Sequence, residues 1–124
     1  MEDDLIKLVK SCFDNNVYTG LNNKIVDEFC DKNNLTQEQF YDIFAKHIAL
    51  EFAKGEMSYS DGDVAMNDLA SFAEINITPL ALEIYLIFDA GEYHRSSDPA
   101  GTIPWQKYTL PNIMHILLEE GLLP

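Results

Sequence analysis

Hydrophobic residues recur along most of the chain at intervals of three and four residues, the spacing that places them on one side of an α-helix. By this pattern the predicted helices cover Asp3 to about Asn15, about Asn22 to Lys32, Thr36 to about Lys54, Ser60 to about Ala73, Thr78 to Ala90 and Pro111 to Gly121. Strand signals are weak, because only Ile75 to Ile77 alternates and that run is short. We therefore predict an all-α single domain of five or six helices.

The segment at about 78–90 is the most apolar, and we expect it at the centre of the fold. Thr78 can accept a hydrogen bond at the helix start, and Pro79 suits the first helical position. Residues 80–88 then leave almost no polar face. The third predicted helix has an equally clear start, since Thr36 and Gln39 have the spacing of a capping box.

No helical period appears between His94 and Leu110, so we predict a long loop at about 94–110. A loop of this length in a small domain is either functional or packed down by its own side chains. The aromatic residues near it have two interpretations, a lid over the core or a partly exposed anchor for a partner. They are Tyr93, Trp105 and Tyr108, and Tyr59 is open to the same two interpretations.

The charge of the chain is strongly negative and unevenly distributed. Eight basic and twenty-one acidic residues among 124 give a net charge of −13. From Gly55 to His94 there are eight acids and no Lys or Arg. Such a surface repels nucleic acid and anionic lipid and attracts basic proteins or cations, although excess acid can also serve solubility alone.

The N-terminal sequence indicates a protein of the cytoplasm. The chain begins Met1-Glu2-Asp3-Asp4, where a secretory signal would need positive charge. No apolar stretch is long enough to span a bilayer, so we expect no membrane partner. In a reducing compartment Cys12 and Cys30, both at apolar positions, are expected as reduced core residues and not as a disulfide.

Motifs for catalysis and metal binding are missing from the sequence. Asp61-Gly62-Asp63 opens like a calcium-binding EF-hand loop, but the fifth, sixth and twelfth positions hold Ala65, Met66 and Phe72. The three histidines are scattered, and there is no Gly-rich phosphate loop. We predict no catalytic residue, no metal and no cofactor. The alternative of a small enzyme would require a deep pocket where acid–base groups converge. Its candidate groups are Glu83, Glu92 and His94.

Several short segments together resemble a known group of bacterial proteins. They are Gly55-Glu56-Met57-Ser58-Tyr59, Met66-Asn67-Asp68-Leu69, Gly91-Glu92-Tyr93-His94-Arg95, Asp98-Pro99 and Lys107-Tyr108-Thr109-Leu110-Pro111. On these segments, residues 50–111 resemble small acidic toxin-immunity proteins, in particular the contact-dependent growth inhibition immunity group. Such proteins share a role more than a motif, so no functional residue is carried over. The resemblance implies a tight, stoichiometric inhibitor of a cognate toxin, often a nuclease.

Charge and resemblance lead to the same functional hypothesis, an immunity protein that neutralises a basic toxin, either an RNase or a DNase. We expect the contact surface on the acid-rich fourth helix and the aromatic residues near it. The predicted partner-binding residues are Tyr59, Asp61, Asp63, Asp68, Glu74, Glu92 and Trp105. The alternative is a nucleic-acid mimic or acidic adaptor for a cellular nucleic-acid-binding protein, which predicts carboxylates spaced like phosphates over an elongated surface. Neither hypothesis fixes the oligomeric state.

Overall fold

The computed structural model describes residues 1–14 and 20–123, and these residues form six α-helices. They are α1 (Glu2–Lys10), α2 (Asn23–Asn33), α3 (Gln37–Ala53), α4 (Tyr59–Ala73), α5 (Pro79–Ala90) and α6 (Leu110–Glu119). A 3-10 turn, Glu74–Asn76, links α4 to α5, and a π-helical turn, Trp105–Thr109, runs directly into α6. Because the described residues contain no strand, the all-α prediction is confirmed. None of these helices is long and apolar enough to cross a membrane.

Two helix starts follow the predicted capping chemistry. Thr36 Oγ1 accepts the N–H of Gln39 at 3.1 Å, and Gln39 Oε1 accepts the N–H of Thr36 at 2.9 Å, which completes the capping box of α3. Thr78 Oγ1 accepts the N–H of Ala81 at 3.4 Å, and Pro79 occupies the first helical position of α5. These local bonds satisfy amide groups that have no partner inside the helix, and so they fix where α3 and α5 begin.

The boundaries of α4 and α1 differ from the predicted ones. Helix α4 starts one residue before the predicted Ser60, because the hydroxyl of Ser58 accepts the N–H of Asp61 at 3.1 Å and acts as the cap. Helix α1 ends at Lys10, and residues 11–13 form a turn. The predicted end of that helix near Asn15 lies outside the described residues.

Helix α3 runs through the middle of the domain and contacts α1, α2, α4, α5 and α6. Its inward face carries large residues at intervals of four, which is the spacing of one helix side. These residues are Phe40, Phe44, Ile48 and Phe52, all buried. Phe52 joins α3 to α5, because its ring lies 5.1 Å from the ring of Phe88. Burial of these aromatic rings supplies much of the driving force for folding.

Helix α5 is enclosed on three sides, as its predicted central position requires. It packs against α3, α4, α6 and the π-helical turn, with Ala81, Ile84 and Phe88 fully buried. Its fourth side is not covered, and Leu82 and Leu86 are exposed there. The nearly continuous apolar sequence of residues 80–88 predicted the central position of this helix but did not indicate that one side of it is uncovered.

The predicted 94–110 loop is shorter than expected and is packed down by its own side chains. Its last residues form the π-helical turn and α6 begins at Leu110, so Pro111 is not the start of the last helix. The carboxylate of Asp98 pairs with Lys107 and accepts the hydroxyl hydrogen of Tyr108. Thr109 is buried and donates its hydroxyl to Ile87 O at 2.8 Å, which ties this segment to α5.

Both cysteines occupy the core positions that the sequence analysis predicts. Cys12 and Cys30 are buried, and both are free thiols. Burial is the main reason that the pKa of each thiol is raised above its ordinary value. Raised pKa values leave little reactive thiolate, which fits packing residues more than redox chemistry.

Candidate functional site

The predicted aromatic anchors Tyr59 and Trp105 lie against the core. The two rings are stacked 5.8 Å apart at an angle of 6°, and Tyr59 also stacks on Phe88 at 5.9 Å. The hydroxyl of Tyr59 donates to the carbonyl oxygen of Phe88, and Trp105 packs edge-on against Phe52. Burial raises the pKa of Tyr59. Of the two interpretations of these aromatics, the lid over the core describes both side chains.

Three carboxylates meet where the start of α4 faces the end of α5. They belong to Asp63, Asp89 and Glu92, which we call the acidic corner. Burial first, then a hydrogen bond with Glu92 and the negative charges of Glu92 and Asp89, raise the pKa of Asp63 to about 7. Asp63 Oδ1 is buried and accepts no hydrogen bond from the described residues. The surroundings of Asp63 therefore disfavour its charged form.

The basic residues that follow the acidic corner are engaged elsewhere. Arg95 donates from Nη1 to Tyr93 O and from Nη2 to Ala90 O, both at 3.0 Å. Its guanidinium also lies 3.7 Å from the centre of the Tyr108 ring. Lys107 pairs with Asp98. Among the ion pairs of residues 1–14 and 20–123, none includes a carboxylate of the acidic corner.

The remaining predicted acids lie away from the acidic corner. Asp68 Oδ2 accepts the backbone N–H of Leu21 at 3.0 Å and so holds the segment before α2. Asp61, seven residues earlier and on the same side of α4, lines a cleft against α1. Glu74 lies just beyond the far end of α4, with φ 52° and ψ −128°. Of the seven predicted contact residues, the structure brings together Tyr59, Asp63, Glu92 and Trp105, and separates Asp61, Asp68 and Glu74 from them.

The cleft at Asp61 bears on the alternative of a small enzyme. It measures about 470 Å³ and lies between α1 and the second half of α3. His47 lines it, with a pKa that burial lowers, and so does Glu51, whose pKa is raised by burial and by neighbouring Glu56. The residues of the enzyme alternative are Glu83, Glu92 and His94. All three are exposed, and none lines this cleft.

Within residues 1–14 and 20–123, no group of three or more His, Cys, Asp or Glu side chains could hold a metal ion.

The surface beside the acidic corner contains residues outside the seven predicted contact residues, among them Tyr93, for which the sequence left both a lid and an anchor open. Leu82, Leu86 and Tyr93 are exposed along one side of α5 and its exit, and we call them the α5 stripe. Tyr93 borders the acidic corner, because the charges of Asp89 and Glu92 raise its pKa. The spacing of 82, 86 and 89 along one helix side could have shown that Asp89 belongs with the leucines, but not that this side is uncovered.

Comparisons of the chain with protein-family models, curated proteins and solved structures found no match.

Proposed function

We propose that this protein is an immunity protein, a stoichiometric inhibitor that binds a basic toxin and blocks its activity, with a nuclease as the expected toxin. The observation that carries the proposal is the acidic corner, where three carboxylates lie together without a basic partner among the described residues. A net charge of −13 reinforces this local charge over the whole molecule. The resemblance of residues 50–111 to immunity proteins supports the same role.

The physical requirements of an immunity protein match these features. A nuclease needs a positive surface to bind phosphate, so an acidic surface can dock on the same groups. Attraction between opposite charges can raise association rates by roughly 10- to 1,000-fold at low salt. A cell that makes its own toxin benefits from such rapid capture. Exposed apolar side chains beside the charge, such as Leu86 and Tyr93, would then slow release.

The alternative of a nucleic-acid mimic is less well supported by the arrangement of the acids. A mimic would carry its carboxylates in a regular row along an extended surface. Here Asp61 lines the cleft against α1, and Asp68 holds the segment before α2. Asp63 faces α5. One compact acidic corner beside apolar residues favours a single specific partner.

Growth and binding measurements test the proposal together. The candidate toxin encoded beside this protein is expressed alone and with it, and only joint expression should permit growth. The association rate is then measured by biolayer interferometry for the purified pair. Glu92→Lys should lower this rate by at least about tenfold at low salt.

The matched control is Glu28→Lys, which makes the same change of net charge at an exposed position of α2. It should alter the association rate by less than about twofold, because steering depends on charge near the contact surface. Equal losses in both variants would show that only total charge matters and would remove the acidic corner from the proposal. Absence of any complex, or of protection during joint expression, would overturn the function itself.

A further inference from the structure

The uncovered side of α5 is apolar in an otherwise acidic neighbourhood. Leu82 is 40% exposed, Leu86 52% and Tyr93 54%, whereas Ile84 and Phe88 on the other side are fully buried. Leu82 and Leu86 are four residues apart, so they lie one above the other on the helix surface. Adjacent exposed apolar side chains of this kind mark interaction surfaces more often than isolated ones do.

Negative charge surrounds the α5 stripe. Glu83 is exposed next to it on the same helix, and the acidic corner closes its C-terminal end. The surrounding sequence from Gly55 to His94 contains no Lys or Arg that could neutralise these groups. A ligand for this surface must therefore combine apolar contacts with positive charge.

We propose that the α5 stripe and the acidic corner together bind a basic amphipathic helix of the partner protein, with its apolar side on the stripe and a Lys or Arg in the corner. The inference rests on the proposed function in that it assigns this helix to the toxin. A helix suits the stripe because residues four apart on two helices interdigitate as ridges and grooves. Glu92 is exposed and Asp89 is partly exposed, so their carboxylates can accept hydrogen bonds from the incoming cation.

Helix geometry fixes the spacing that the partner needs. Leu82 and Asp89 are seven residues apart, which is about 10 Å along the axis of α5. The cation of the partner must therefore lie about two helical turns from its first apolar contact. A second copy of this chain meets the apolar requirement only, since each copy carries a charge of −13 and would repel the other.

The test uses the full chain and a synthetic Leu/Lys peptide of about five turns, with leucines at intervals of three and four residues. One control peptide has the same composition in scrambled order. The other keeps the pattern of leucines and carries Glu in place of Lys. Backbone amide shifts of the 15N-labelled protein locate binding, and a titration gives the affinity. We expect shifts concentrated at residues 82–93 with the amphipathic peptide, and at least about tenfold weaker binding of both controls.

The matched variants are Leu86→Asp and Leu118→Asp, because Leu118 is 53% exposed and lies on α6. Leu86→Asp should weaken peptide binding at least about tenfold, and Leu118→Asp less than about twofold. Circular dichroism confirms that each variant is folded. Equal losses in the two variants, equal binding of the scrambled peptide, or shifts confined to other helices would overturn the inference. Sedimentation analysis could also show a dimer that the substitution Leu86→Asp dissociates. That result would assign the α5 stripe to a second copy of the chain and would also overturn the inference.

The outcomes separate this inference from the proposed function. If the toxin binds and Leu86→Asp leaves the dissociation rate of the complex unchanged, the proposed helix-binding surface is wrong and the proposed immunity function is retained. If the peptide binds at the α5 stripe but the protein does not bind the toxin, the helix-binding surface is retained and the proposed immunity function is wrong.

Discussion

Replacing Asp63 with Asn should stabilise the protein at alkaline pH. The carboxylate of Asp63 is partly buried, lies beside Glu92 and Asp89, and has one oxygen that accepts no hydrogen bond within the described residues. Its charged form is therefore disfavoured in the folded state. Asn has nearly the same shape and no charge, and its amide can donate to Glu92 in place of the proton that Asp63 carries at lower pH.

The sign and size of the effect follow from the pKa of Asp63. Folding raises this pKa from 3.8 to about 7, so the folded state binds the proton more tightly than the unfolded state. The free energy of unfolding should therefore fall as pH rises from about 4 to about 7, and then level off. An isolated shift of this size corresponds to about 4 kcal/mol. Because the side chain is partly exposed and solvent screens its neighbours, we expect about 1–2 kcal/mol.

Urea denaturation followed by circular dichroism checks this expectation. At about pH 8, Asp63→Asn should be more stable than the unchanged protein by about 1–2 kcal/mol, and at about pH 4 the difference should be close to zero. Asp27→Asn, at an exposed position of α2, is the control and should show no such dependence. The reasoning is refuted if Asp63→Asn is no more stable at alkaline pH, or if its advantage is the same at both pH values.

Replacing Gly91 with Ala should cost about 2–3 kcal/mol, because the new Cβ would overlap Thr109 Oγ1 in the π-helical turn. Gly101→Ala, where no atom lies within 4 Å and only its φ of +87° is unfavourable, should cost about 1 kcal/mol; the reverse order would contradict the close packing of α5 on that turn. Glu74→Gly should gain about 1 kcal/mol, because φ 52° and ψ −128° is a glycine conformation. Asn34→Gly, in the left-handed region that Asn tolerates, should change the stability much less. Tyr59→Phe should lose about 1 kcal/mol with the hydrogen bond to α5, and urea denaturation measures all of these changes.

Local sequence signals predicted the features that depend on neighbours in the chain. The capping box of α3 joins Thr36 to Gln39, and the start of α5 needs only Thr78 and the proline after it. Each arrangement is complete within one helical turn, so it can be identified without knowing the fold. The helical period likewise separates Asp61 from Asp63, since residues two apart on a helix point in different directions.

Features that depend on contacts between helices could not be predicted in the same way. The π-helical turn is held by Trp105 stacking on Tyr59 and by the bond from Thr109 to α5, and both partners are distant in the sequence. The acidic corner needs the end of α5 to meet the start of α4. Hydrophobicity predicted that α5 would be central, but it cannot say which side of an apolar helix lacks a neighbour and so did not indicate that Leu86 is exposed.

The stacking of Trp105 on Tyr59 gives the molecule a built-in optical probe. Trp105 is the only tryptophan of the chain, so its fluorescence comes from one place. Tyr59 touches both the indole and the carbonyl oxygen of Phe88, the residue before Asp89 in the acidic corner. A ligand that shifts the end of α5 would disturb this stack and change the emission of the indole. Stopped-flow mixing with unlabelled ligand could then follow capture in real time, without attaching a dye to the surface under study.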